Sequence, residues 1–258
     1  MIALTQFPPA SDLEAFRATL PNRLRVSIAT PIDDGHKFCY WQSLLSLATA
    51  RTGHDFRLAL HPGDSLITRC RDNMNHAFYF GTGDDYLFFI DSDIDFRVED
   101  VIRLVSHRLP IAAGLYAIKE ENLRWCLNTL KDEAPHPETG LQKVATAGTG
   151  FLCYHRSVIG RMIAAAPQWP HWKVRYIDDA HRDDRYHIFA DEVIDDPEWF
   201  THTPRRMSED WSFCYFARRL GYDVWMDTKV ITHHRGEINY PLNTRRQTED
   251  EARAANRS

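Results

Sequence analysis

The stretch Tyr86-Leu87-Phe88-Phe89-Ile90-Asp91-Ser92-Asp93-Ile94-Asp95-Phe96 decides how this chain is read, because an unbroken apolar run ends there in alternating carboxylates. Leu87 to Ile90 has neither the alternation of a half-exposed strand nor the length of a helix, and Gly83-Asp84-Asp85 bounds it upstream. That pattern predicts a strand buried on both faces of a parallel sheet. If the backbone stays extended past the strand, Asp91, Asp93 and Asp95 project to one side. Ligands of open α/β sheets bind just beyond the carboxyl ends of the strands, and several like charges on one edge require a counter-charge. A hard divalent cation, Mg²⁺ or Mn²⁺, suits them because it takes oxygen ligands and keeps positions open for phosphate. The plainer reading is that Asp91 or Asp93 caps the helix expected over 97–109, Asp being a favoured cap residue.

Upstream, Leu24 to Ala29 alternates like a strand and is expected to break at Thr30-Pro31, before a turn at Asp33-Asp34-Gly35 and an amphipathic helix over 38–50. A second strand over 56–61, the turn Pro62-Gly63-Asp64 and a helix over 65–80 lead into the organising strand. Strand, helix, strand, helix, strand is the order of a nucleotide-binding half. No G-x-G-x-x-G follows the first strand, which argues against a dinucleotide site. Before it, a short helix capped by Ser11 carries Leu13, Phe16 and Leu20 on one face.

Downstream, Ile111 to Tyr116 reads as a small-residue strand and 125–130 as another. Gly148-Thr149-Gly150 then feeds an apolar strand, and its glycines let backbone approach a ligand closely. A helix follows over 157–166. Residues 167–206 mix Trp169, Trp172, Tyr176, Tyr186, Phe189, Trp199 and Phe200 with His171, His181, His187 and His202 without periodicity. Loops this long are usually functional or mobile, and aromatic faces with polar neighbours suit sugar rings. The histidines lack paired metal spacing, which argues against zinc. Ser208-Glu209-Asp210-Trp211-Ser212-Phe213 opens a helix that Gly221 ends; acids at a helix N-terminus are favourable in any case. A strand over 222–226 and another ending at His233-His234-Arg235-Gly236 complete the pattern, and of two adjacent strand histidines only one can point inward.

At 258 residues and 43% hydrophobic, the chain fits one large α/β domain over 1–258. A nucleotide-binding half is expected over 24–110, a second half over 111–240 with the irregular insertion at 167–206, and a charged tail over 241–258. A formal net charge of −5 provides no global basic field for a polyanion, so nucleic acid ranks low as a partner. Five cysteines without a C-x-x-C pair suggest free thiols in a reducing compartment. No run of eighteen apolar residues occurs, and Met1 to Pro9 lacks the basic and apolar regions of a signal peptide, so a cytoplasmic protein with no membrane span is expected.

Phe88-Phe89-Ile90-Asp91-Ser92-Asp93 resembles the DxD motif of nucleotide-sugar-dependent glycosyltransferases of the GT-A fold, of the family 2-like kind and related viral and phage enzymes. Gly148-Thr149-Gly150-Phe151, Glu209-Asp210 and His234-Arg235-Gly236 follow in that family's order, so the likeness covers most of 24–236. The resemblance implies a Rossmann-like α/β fold with a mixed central sheet flanked by helices. It implies a nucleoside-diphosphate sugar held by Ala29, Thr30, Pro31, Asp33, Arg71, Asp91, Ser92, Lys119, Gly148, Thr149 and Gly150. It also implies Mn²⁺ or Mg²⁺ at Asp91, Asp93 and His234, with Asp210 as general base beside Glu209 and inversion at the anomeric carbon. The family often shows Ala-Arg-Asn where this chain has Cys70-Arg71-Asp72, with the Asn one place later at Asn73. The acceptor is then a glycan or other hydroxyl, with modified DNA a lesser option. The residues alone leave two alternatives open. One is a nucleotidyltransferase or metal-dependent phosphohydrolase, although further phosphate-binding residues for it are not evident. The other is a catalytically silent carbohydrate-binding protein, against which the Glu-Asp pair argues.

Overall fold

The computed structural model describes residues 12–32, 38–119, 124–169, 173–175, 184–230, 232–235 and 239–241. In chain order these give α1 (Leu13–Ala18), β1 (Arg25–Ile32), α2 (Phe38–Thr49), β2 (Asp55–Pro62), α3 (Ile67–Gly81), β3 (Tyr86–Ile90), β4 (Ile94–Asp95), α4 (Val98–Ser106) and β5 (Ile111–Gly114). They continue with β6 (Leu127–Thr129), β7 (Leu141–Ala147), β8 (Phe151–His155), α5 (Arg156–Ala165), β9 (Lys173–Arg175), β10 (Asp184–Tyr186), β11 (Glu192–Ile194) and β12 (Arg205–Met207). The last are α6 (Glu209–Arg219), β13 (Val224–Asp227), β14 (His233–Arg235) and β15 (Asn239–Pro241).

Eight strands form one mixed sheet in the order β2-β1-β3-β8-β5-β13-β7-β6, flanked by helices in a Rossmann-like α/β arrangement. β2, β1 and β3 run parallel, whereas β8 runs antiparallel between β3 and β5. Every residue of β3 is buried, and the reason is visible in the two cores. Phe88 and Ile90 pack with α2 and α4 through Tyr40, Leu44, Val101 and Leu104. Leu87 and Phe89 pack on the other side with Met74 and Phe78 of α3 and Phe213 of α6. A strand covered on both faces has no polar side to show, hence its unbroken apolar run. Among the described residues no helix is long and apolar enough to cross a membrane.

Two expectations need correction. β1 does not break at Thr30-Pro31 but continues to Ile32, because β3 pairs with it only as far as Ala29. Beyond that point β2 alone flanks it, and an edge-like position tolerates proline. Asp12 is the N-cap of α1, its Oδ1 accepting from the Ala15 amide at 2.9 Å; Ser11, expected in that place, lies outside the described residues. The turn at 33–35 and the tail beyond 241 lie outside them as well.

Candidate active site

The chain does not stay extended after β3. The Ile94 amide donates to the Asp91 carbonyl at 3.0 Å and closes a turn, after which β4 begins. A turn resets side-chain alternation, so the expectation of three carboxylates on one side is overturned. Asp91 meets Arg71, whose Nη2 lies 3.0 and 3.1 Å from its two oxygens. Asp93 accepts from Lys119 Nζ and faces His234 Nε2 at 3.3 Å. Asp95 accepts from Ser43 Oγ at 2.9 Å and Arg235 Nη2 at 2.6 Å. Each carboxylate thus has its own cationic neighbour. Burial alone would raise the Asp93 carboxyl, but hydrogen bonds from His234 and Lys119 outweigh it and hold it down at about 2.

Strand pairing delivers these partners. β14 runs antiparallel to β4, with His234 opposite Ile94, and the Arg235 amide donates to the Asp93 carbonyl at 2.7 Å. On the other side the Asp91 amide donates to the Gly150 carbonyl at 3.0 Å, so the glycine turn before β8 is joined to the carboxylate turn after β3.

Arg71 on α3 ties two distant stretches together. Its side chain is 3% exposed, its guanidinium lies 5.1 Å from the Phe89 ring centroid, and Nε stands 3.7 Å from Glu209 Oε1. Nε and Nη1 are buried and have no hydrogen-bond partner among the described residues. A desolvated cation between two carboxylates is the expected compensation for burying them. The guanidinium expected to hold nucleotide is therefore already occupied by Asp91 and Glu209. Next to Glu209, Asp210 Oδ1 accepts from Ser208 Oγ and from the Trp211 amide at 2.8 Å. Burial raises the carboxyl of Asp210, and burial followed by the charge of Asp210 raises that of Glu209. A raised carboxylate is a stronger base, and the N-terminus of α6 holds both.

Tyr116 is the hub that the sequence signalled only as the end of Gly114-Leu115-Tyr116. Its hydroxyl accepts from the Gly150 amide at 3.1 Å and its ring meets His234 edge-on at 5.4 Å. A Cβ at Gly148 would lie 2.0 Å from Tyr116 Oη and 2.4 Å from Cys126 Sγ, so this turn has room for hydrogen only. His234 Nδ1 lies 2.7 Å from the Ala117 carbonyl. A carbonyl only accepts, so Nδ1 carries the hydrogen and Nε2 is left toward Asp93. An imidazole nitrogen and a carboxylate oxygen are both ligand atoms for a divalent cation, which would take the place of the hydrogen that Nε2 gives Asp93. That chemistry fits a divalent ion held by Asp93 and His234. It does not extend to the expected trio, because Asp91 is engaged by Arg71 instead. Among the described residues no three His, Cys, Asp or Glu side chains gather as a ligand set.

A cavity of about 250 Å³ opens against this turn, lined by Pro31, Ile32, Asp64, Ser65, Ile67, Asp91, Ser92 and Asp93. Of the expected donor contacts, Pro31, Asp91 and Ser92 reach it. Ala29 and Thr30 are buried inside β1, with the Thr30 hydroxyl 2.6 Å from Tyr40 Oη, and Thr149 is buried too. Asp33 and Gly236 lie outside the described residues. Asp64, Ser65 and Ile67 were not expected here, and their only sequence signal was the turn at Pro62-Gly63-Asp64. Asp72, beside Arg71, serves another purpose: its Oδ1 accepts from the Ile188 and Phe189 amides, both at 2.9 Å, and Oδ2 meets His187 Nδ1.

No family model matches the chain, and no curated protein matches it. Among solved structures, the crystal structure of A197 from STIV is similar, with a TM-score of 0.52 at 12% identity over 85% of this chain and 95% of that one. At that identity the likeness speaks to the fold.

Proposed function

We propose that this chain is a metal-dependent glycosyltransferase that moves a sugar from a nucleoside-diphosphate sugar to an acceptor hydroxyl. One observation carries the reading: three stretches far apart in sequence, ending in Asp91, Gly150 and Glu209-Asp210, converge on the buried Arg71 and the Tyr116 hydroxyl. In this reading Pro31 and Ser92 wall the nucleotide, Ala29 and Thr30 only carry β1 up to them from inside the sheet, and Asp33 is assigned to it from sequence alone. Asp93 and His234 hold Mg²⁺ or Mn²⁺, and Asp91, fixed by Arg71, shapes the cavity beside them. The bound ion offsets charge that develops on the departing diphosphate. Lys119, already on Asp93, adds a positive group to the same side. The Gly148-Thr149-Gly150 backbone lies along the sugar. Asp210 accepts the proton of the attacking hydroxyl, Glu209 orients the acceptor, and attack from the face opposite the diphosphate inverts the configuration.

A glycan is the favoured acceptor, because the insertion is rich in aromatic rings. A modified DNA base ranks below it, given the net charge of −5. Five free cysteines suit a reducing, cytoplasmic setting. The test is a thermal-shift and hydrolysis screen of UDP-, GDP- and dTDP-sugars with and without Mn²⁺, on the native chain and on Asp93→Asn. One nucleotide giving a manganese-dependent shift and slow diphosphate release, both lost in the variant, is the expected result. Silence toward every sugar nucleotide would overturn the assignment. A shift and turnover indifferent to manganese would replace the ion by Lys119 as the counter-charge.

A further inference from the structure

A second cavity, about 630 Å³ and so larger than the one beside Asp91 and Asp93, lies between β2, one face of β1 and α3. Its lining shares no residue with the carboxylate cavity. It includes Arg57, His61, Arg69, His76 and Arg185, and none of its fourteen lining residues is acidic. In a chain with more carboxylates than basic groups, 36 against 31, every charged side chain that lines this wall is basic. The floor is apolar, formed by Leu60, Met74, Phe78 and Leu87.

The arginines are held in place from behind. Arg57 Nε meets Asp84 Oδ2 at 3.2 Å, yet the Arg57 side chain is 61% exposed and that of Asp84 only 3%. Arg69 is fixed to Asp64 at 2.7 Å with the same asymmetry, and Arg185 Nη1 donates to Asn73. The Asp84 contact takes one edge of the Arg57 fork and leaves its guanidinium largely exposed at the cavity wall. Guanidinium groups so placed suit phosphate oxygens. The volume falls within the range of about 300–1,000 Å³ usual for small-molecule pockets.

We propose that this cavity binds an organic phosphate: an anionic head on the arginine wall and an apolar body over Leu60, Met74 and Phe78. The inference stands apart from the proposed transferase activity. Isothermal titration of the full chain with 1-naphthyl phosphate and decyl phosphate tests it, with inorganic phosphate and 1-naphthol as controls. One or both organic phosphates are expected to bind at least about tenfold more tightly than either control, since one charge-assisted contact is worth about that factor. A ring-over-chain preference, or the reverse, identifies the body. Arg57→Met should weaken binding about tenfold. Ala77→Phe, at an exposed position of α3, should block the cavity while leaving every charge in place, and so guards against loss of fold in the arginine variant. The proposal fails if neither phosphate binds, if 1-naphthol binds equally well, or if a folded Ala77→Phe protein binds as the native chain does.

Discussion

Replacing Arg71 by methionine keeps most of the side-chain volume and removes the cation that Asp91 and Glu209 share. Removing one partner of a buried ion pair costs about 3–5 kcal/mol. Two features of the site reduce that figure. Asp91 is 28% exposed and rehydrates, and the substitution also removes two buried N–H groups, Nε and Nη1, that lack partners. A net loss of about 2 kcal/mol at pH 8 follows, which for a chain of this size lowers Tm by about 4–8 °C. The loss must depend on pH. Glu209 is already raised above its ordinary value by burial and by Asp210, and without Arg71 it rises further. A group whose folded pKa lies above its unfolded value contributes stability that is full below the unfolded value and is lost as pH climbs through the folded one. Differential scanning calorimetry between pH 5 and pH 8 should therefore show a small deficit at pH 5 that widens toward pH 8. Glu209→Gln in the variant background should recover about 1 kcal/mol or more, the coupling expected of contacting charges. An equal Tm drop at both pH values, or none at all, would refute the view of Arg71 as the charge that permits the two carboxylates to lie together.

Gly148→Ala should destabilise the protein by about 1–3 kcal/mol, the usual cost of overpacking, because its methyl would meet the Tyr116 hydroxyl; Tm by calorimetry measures it. Asp210→Asn should lower sugar transfer by about 10²–10⁴-fold, the contribution of a positioned base, while Tm holds or rises because burial already disfavours the charge. In the native chain, transfer should climb with pH through the raised Asp210 value, above the ordinary 3.8. The hydrogen bond to Asp72 raises His187, so the stability that this pair contributes is full below pH 6.5 and fades as pH rises through the folded value; amide exchange at Ile188 and Phe189 should quicken over that range, and His187→Gln should flatten the change.

The sheet was legible because β3 is buried on both faces and so carries an apolar run that only a strand inside an α/β layer needs. The order of elements around it followed from turns at Gly63, Gly83 and Gly221. What sequence could not supply was direction. Alternation predicted that Asp91, Asp93 and Asp95 share a side, but the hydrogen bond from Ile94 to Asp91 bends the chain, and a tertiary partner then claims each carboxylate. Arg71 was legible as a residue of interest but not as a buried one, since burial of a guanidinium is decided by Asp91 and Glu209, twenty and 138 positions away. Tyr116 had the weakest signal of all, an aromatic at a strand end, and its role depends on the empty space at Gly148.

Arg71 and Asp72 are consecutive on α3, and they grip different parts of the molecule. One holds the carboxylate turn through Asp91; the other holds the middle of the aromatic insertion through the amides of Ile188 and Phe189. Neighbouring residues on a helix cannot rotate independently. The insertion and the carboxylate turn are thus moored to one peptide unit of α3, and a substitution that unwinds the helix there would release both at once.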